Sequence, residues 1–160
     1  MGKSLVSATG IEDDAVTAAQ AMLLTFTNIG KDTFPAATQA VADMATAMNS
    51  GAIPSQEAIK ATAIQVGKAL QDPIAGVTAL QRVGVKLTES QKEQIQTMME
   101  SNDVSGAQAL ILKELQTEFG GAAEAAGDTF GGKMAKMNQK LADAAESLGT
   151  NQYRLKLNRN

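Results

Sequence analysis

The sequence predicts an all-α fold, and three observations carry the prediction. Alanine fills 28 positions, and alanine enters a helix at the smallest entropic cost. Proline occurs only three times and aromatic residues make up 3% of the chain, so helix breakers and strand-preferring rings are both scarce. Apolar residues recur at alternating spacings of three and four, the period of a helix with one buried stripe.

Taken in order, the stripes define the elements. Ala15, Ala19, Met22, Phe26 and Ile29 mark a first helix, and Phe34, Ala37, Val41, Met44 and Met48 a second. The stretch "NSGAIPS" interrupts the pattern. Ser55 is placed there as the N-cap of a third helix, striped by Ile59, Ala63, Val66 and Leu70.

The segment "LQDPIAGVTALQRVGVKLTESQKEQ", residues 70–94, is dense in boundary signals. Asp72 accepts a hydrogen bond from an open backbone N–H, and Pro73 stands at a first helical position that needs no N–H of its own. One helix stops and another starts within two residues, which predicts a sharp corner. Ile74, Val77 and Leu80 stripe the short helix, and Gly84 takes the left-handed conformation beyond its end, bringing Leu80 to Val85. Thr88 with Gln91 forms a capping-box pattern ahead of Ile95, Met98 and Met99. Asn102 tolerates the left-handed state and Asp103 caps the next helix. That helix carries Leu112, Leu115 and Phe119, broadened by Leu110 and Ile111, and is expected at the centre of the core.

"FGGAAEAAGDTFGG" follows, with five glycines that either end the packed region or give a flexible helical passage. Phe130, Met134, Met137, Leu141, Ala144 and Leu148 then fall on a 4-3 spacing, the seam of a short coiled coil or of a long helix docking on neighbours. In the tail "TNQYRLKLNRN", Tyr153, Leu155 and Leu157 alternate as a strand would. Its bases Arg154, Lys156 and Arg159 meet no acid, and solvated disorder is the expectation there. The predicted organisation is a multi-helix packed domain at 1–120, a Gly/Ala-rich passage and extended helix at 121–149, and a basic, disordered tail at 150–160.

Missing residue types exclude several functions. With no cysteine there is no disulfide frame, thiolate nucleophile or thiolate metal site, and with no histidine the common acid/base group near neutral pH is gone. Carboxylate chemistry is left, with Glu12, Asp13 and Asp14 as the densest cluster; three acids opening a helix read as complements to its dipole, facing water. The glycine pairs at 120–121 and 131–132 follow no strand and lack the lysine and hydroxyl spacing of a phosphate loop. Met22, Met44, Met48, Met98, Met134 and Met137 occupy striped positions, which favours helix packing over an adaptable binding surface. No catalytic, cofactor-binding or metal-ligating residue is assigned, and the chain is not expected to be an enzyme. A formal charge of −3 with interspersed acids and bases argues against specific nucleic-acid binding. Apolar runs such as "AMLL" fall far short of the roughly 20 residues that span a bilayer, and "MGKSLVSATG" lacks the apolar core of a secretion signal.

In series, "DPIAGVTALQRVGV", "TESQKEQI", "GAQALILKELQTEFGG" and "DTFGGKMAKM", preceded by "ATGIEDDAVTAAQAMLLTF", resemble the tail-length tape measure proteins of long-tailed bacteriophages and prophages. The resemblance covers residues 4–149. It implies a structural protein that lies extended and largely helical in the tail tube lumen, sets tail length and helps DNA reach the host. Tail tube protein, tail assembly chaperones and tail-tip or baseplate proteins are the implied partners, together with self-association. The implied location is the virion after assembly and the host cytoplasm before it. Asn102 stands where similar proteins commonly have glycine, and the pattern ends at Thr150. Such proteins are several times longer, so the chain is expected to be a segment of one. The competing readings from the residues themselves are a free-standing helical interaction module (adaptor or regulator) and a carboxylate hydrolase.

Overall fold

A computed structural model of the protein describes the backbone of residues 9–157 and the side chains of that span, apart from Phe130 and residues 149–157. The secretion-signal reading of the first residues and the last three residues of the basic tail lie outside it. Among the described residues the fold is all helical: α1 (Asp13–Leu23), α2 (Phe34–Met48), α3 (Gln56–Gln71), α4 (Pro73–Arg82), α5 (Glu89–Glu100), α6 (Val104–Phe119), α7 (Ala122–Gly127) and α8 (Phe130–Leu157).

The ends of the helices follow local chemistry. Ser55 accepts from the Ala58 N–H at 3.2 Å and opens α3. Asp72 closes α3 and opens α4, its carboxylate accepting from the Ala75 N–H at 3.4 Å with Pro73 in the first turn. At the other end of α4 the Val85 N–H reaches the Leu80 carbonyl at 3.0 Å and the Gly84 N–H reaches Gln81 at 3.1 Å, with Gly84 at φ 102°. This is the Schellman closure expected there. Thr88 and Gln91 exchange both bonds of a capping box, at 2.8 and 3.1 Å. The same closure recurs after α5, where Asn102 takes φ 59° and the Asp103 N–H bonds the Met98 carbonyl at 2.7 Å. The Asp103 carboxylate then accepts from the Gly106 N–H at 3.0 Å and opens α6.

The core gathers around α2 and α3. α3 buries Ile59, Ala63, Val66 and Leu70, the stripe read from the sequence, and touches α1, α2, α4 and α6. α2 is buried on most of its circumference, from Ala37 and Thr38 through the run Ala40–Thr46. Its alanines let α1, α3, α6 and α7 approach from different sides. The centre expected at α6 is therefore shared by α2 and α3. α6 buries one face only, through Ala107, Gln108, Ile111 and Leu115, with Leu112 and Phe119 half-buried at its flank.

Three other sequence expectations are corrected. The first helix ends at Leu23, before Phe26 and Ile29. The Thr25 hydroxyl folds back onto the Met22 carbonyl at 2.7 Å, and the Phe26 ring lies where a side chain at Gly67 would stand. Ile74 is 50% exposed, because the short α4 turns Pro73, Gly76, Val77 and Leu80 inward instead. Tyr153, Leu155 and Leu157 lie in a helix, since α8 continues without a break to Leu157.

The glycine-rich passage forms α7, which packs on α2 and buries Ala123 and Ala126, so the core extends past residue 120. Gly121, at φ 84°, makes the left-handed turn into α7. Gly132 fits against the backbone of Ala126 and Gly127, where no side chain has room, which sets the start of α8 close against α7.

Candidate interaction surfaces

The acidic cluster forms no constellation. Asp13 and Asp14 occupy the exposed first turn of α1, beside the exposed Glu12 that precedes it, as the dipole reading places them. No group of three or more acids that could hold a metal ion occurs among the described residues, and no described helix is long and apolar enough to cross a membrane. The methionines divide. Met44 is fully buried and Met22, Met98 and Met99 pack against the core, while Met48, Met134 and Met137 are exposed. Met48 is the last residue of α2, and the other two sit on α8, which touches the rest of the fold mainly through α7.

α8 is the first candidate surface. Near its start it borders a groove of about 620 Å³ formed with Gly10, Glu12, Ile53 and Ser55, its own contribution coming from Ala135, Asn138, Gln139 and Ala142. From Lys140 to Leu148 every residue is exposed, Ala142 being the last of them to line that groove. Met134, Met137, Leu141 and Leu148 keep their stripe in the open, with Leu141 at 62% and Leu148 at 65% exposure.

The second is a groove of about 740 Å³ between α2 and α6, ending at the α6–α7 corner. Ala36, Ala40, Ala109 and Leu112 supply its apolar lining, and Asp32, Asp43, Glu124 and Lys113 are its charged lining residues. Asp43 is only 5% exposed. Its Oδ2 accepts from the Gln39 side chain at 3.2 Å, and its Oδ1 accepts from the Ala123 N–H at 3.0 Å. Since α7 begins at glycines that carry no capping side chain, Asp43 caps it from α2, across 80 residues of sequence.

Two further polar clusters were invisible in the sequence. The Gln108 side-chain amide, 2% exposed, donates to the carbonyls of Asn28 at 2.8 Å and Leu70 at 2.9 Å. Gln71 accepts from the Asn28 N–H at 2.8 Å and donates to Thr27 at 3.0 Å, so the α1–α2 loop is clasped to the end of α3. On α6, both oxygens of Glu118 accept from the Lys86 N–H, at 3.1 and 3.0 Å, while Glu114 accepts from the Gln91 amide at 3.0 Å. Burial pushes the Glu118 carboxyl above its ordinary value of 4.5, and the adjacent Glu114 adds to the rise, against the bond from Lys86. The first cluster fastens the α1–α2 loop to α3 and α6, and the second fastens the α4–α5 loop and α5 to α6.

No family model, curated protein or solved structure matches this chain.

Proposed function

We propose that this chain is a structural segment of a phage or prophage tail tape measure protein, in which the packed helices form a folded station and α8 continues as part of an extended helical rod. The observation that carries the reading is α8 itself: a continuous helix of 28 residues whose apolar stripe stays exposed. A lone helix with an open stripe gains stability by joining further helices along the same axis. The in-order resemblance to tape measure sequences supports the same reading. In it, function rests on shape and length, and self-association, tail tube protein, assembly chaperones and tail-tip proteins are the partners.

The test uses a phage whose tail protein contains this sequence. Removing residues 134–147, two heptads, keeps the stripe in register and shortens the rod by about 21 Å at 1.5 Å per residue. Mean tail length in electron micrographs should fall by a similar amount. Removing residues 104–117 instead takes out most of α6, buried through Ile111 and Leu115, and should block assembly rather than shorten it. Unchanged length with intact infectivity after the first deletion would sink the proposal. It would favour the free-standing interaction module, for which the exposed methionines and leucines of α8 offer a docking face.

A further inference from the structure

We propose that the corner between α7 and α8 is a hinge with a second, straight state, in which Thr129 turns helical and α8 swings off its seat to continue the axis of α7. The proposal rests on the geometry of the corner and does not depend on the tail reading.

The corner lacks what fixes the other helix junctions from α2 onward. Ser50, Gly51, Gly84, Asn102 and Gly121 are left-handed, and Pro73 separates α4 from α3. A left-handed residue joins no right-handed helix without leaving its well, and a proline breaks the ladder outright. At the α7–α8 corner Asp128 is right-handed, at φ −88° and ψ −6°, and no left-handed residue stands beside it. The ladder of α7 already runs on to Asp128, whose N–H reaches the Glu124 carbonyl at 3.2 Å. That of α8 starts from the Thr129 carbonyl, which accepts the Lys133 N–H at 2.8 Å. The interruption is narrow. It is held by the Thr129 hydroxyl, which accepts from the Gly132 N–H at 3.0 Å and donates to the Ala126 carbonyl at 2.7 Å.

The seat that α8 would leave is weak. α8 borders the groove of about 620 Å³ through Ala135, Asn138, Gln139 and Ala142, two alanines and two amides, while Met134, Met137 and Leu141 are exposed. Burial alone would select the opposite orientation. Lys136 reaches Asp128 at 3.6 Å, but the Asp128 side chain is 71% exposed and such a pair contributes little.

One contact belongs to the bent state alone. A methyl added at Gly132 would overlap the Ala126 carbonyl oxygen. In a straight helix residues six apart are separated by about 9 Å, and the overlap disappears. Straightening also brings the N–H groups of residues 130, 131 and 132 to the carbonyls of residues 126, 127 and 128. The product is one helix from Ala122 to Leu157, about 54 Å long at 1.5 Å per residue, with α7 still capped by Asp43 of α2. A partner that packs around α8 favours this state, because the face of Ala135 and Ala142 is then free.

The chain contains no cysteine, so spin labels at Glu57→Cys and Lys140→Cys report a single distance. Both positions are exposed, and each adjoins a residue that lines the groove. The labelled protein should show mainly the short distance of the bent state. Gly132→Ala excludes that state and favours helix, so it should raise the ratio of long to short distances at least tenfold. Gly131→Ala, whose methyl meets nothing within 4 Å, should move the ratio less. Residue 140 lies about 16 Å beyond Thr129, so the long distance should exceed the short one by on the order of 10 Å. Amide exchange at residues 129–132 should slow in Gly132→Ala, as a continuous helix requires. Asp128→Ala with Thr129→Ala removes the pair and the cap without a clash and should shift the ratio in the same direction. Adding Phe130→Pro to that pair should restore the short distance, since proline suits the first helical position and would collide with the Ala126 carbonyl in a straight helix. An unchanged distance in a folded Gly132→Ala protein overturns the proposal. So does faster exchange at residues 129–132, which means a melted corner, or a long distance that Phe130→Pro leaves in place. Should Gly132→Ala fail to fold, the Asp128 and Thr129 variant decides with and without Phe130→Pro: the ratio must rise and then fall back.

Discussion

The amide of Gln108 donates to the Leu70 carbonyl at 2.9 Å, and this one bond joins the middle of the fold across 38 residues of sequence. Leu70 stands in the last turn of α3, where carbonyls lack helical partners, and the following Pro73 brings no N–H to the corner. Gln108 meets that need and serves Asn28 with its second hydrogen at 2.8 Å. Gln108→Met preserves volume but withdraws both donors. Leaving the carbonyl of the buried Leu70 unpaired, while that of the exposed Asn28 can turn to water, should cost about 1–3 kcal/mol. Urea unfolding should show a lower midpoint with an unchanged slope, and an unaltered midpoint would mean that the clasp of Gln71 on Asn28 suffices.

Gly76 and Gly131 should respond to alanine with opposite signs. In an ordinary helix the change is favourable by about 1 kcal/mol. At Gly131 a new methyl meets nothing within 4 Å, so thermal unfolding of Gly131→Ala should not occur earlier than in the wild type. At Gly76 it runs into the Ala69 backbone, where α4 crosses back over α3. Overpacking of that kind costs about 1–3 kcal/mol and should outweigh the helical gain. Equal responses at the two sites would show that the α3–α4 corner yields.

What could be read from the sequence, and what could not, divides by distance along the chain. Ser55, Asp72, Thr88 and Asp103 were legible because a cap bonds an N–H three residues on, and sequence spacing alone defines it. The α3 stripe was legible because its buried face is a simple period. Gln108 and Asp43 were not, since their partners lie up to 80 residues away and a glutamine or aspartate in a helix looks like surface. The central place of α2 was hidden for a related reason: alanines bury wherever neighbours happen to approach, and their pattern does not say how many do. Gly67 and Gly76 gave only the generic signal of a weak helix. The close approach of Phe26 and Ala69 explains them.

Asp43 controls the attachment of α7, and the two smallest changes at it should separate. Asp43→Asn retains an oxygen that accepts from the Ala123 N–H, whereas Asp43→Ala removes the cap and should cost about 1–2 kcal/mol, the upper range for caps in proteins. The loss should be local. Hydrogen exchange should quicken in α7 and at the start of α8 while α3 keeps its protection. Uniform acceleration throughout α2 and α3 would indicate that Asp43 holds the whole core rather than one appended helix.

Glu118 sets a pH dependence whose sign follows from its surroundings. Its carboxyl ionises above 4.5 in the fold because burial disfavours the charge, with Glu114 adding to the effect. The charged form is therefore penalised in the fold relative to the unfolded chain. That penalty is fully present above the folded-state value and is relieved as pH falls through it toward 4.5. Glu118→Gln, neutral throughout, removes this dependence. Urea midpoints of the two proteins should converge or cross in favour of the wild type on acidification through the window just above pH 4.5. A constant difference across that window would mean that Glu118 ionises as it does in the unfolded chain.

Leucines on α6 and α8 look alike in the sequence, yet the fold gives them different consequences. Leu115 is 1% exposed, and Leu115→Ala should cost about 2–5 kcal/mol as a buried truncation. Leu141 and Leu148 stand mostly in the open, so lysine at both should change stability by no more than about 0.5 kcal/mol, the usual range for surface changes. If α8 continues into a helical rod, those two lysines should instead act on assembly, by putting charge into the seam where another helix must pack. The decisive pattern is normal unfolding of the isolated chain together with impaired tail assembly when the same changes are made in the tail protein. Normal tails would remove the α8 stripe from the assembly interface, and early unfolding of the isolated chain would mean that the stripe packs within the fold after all.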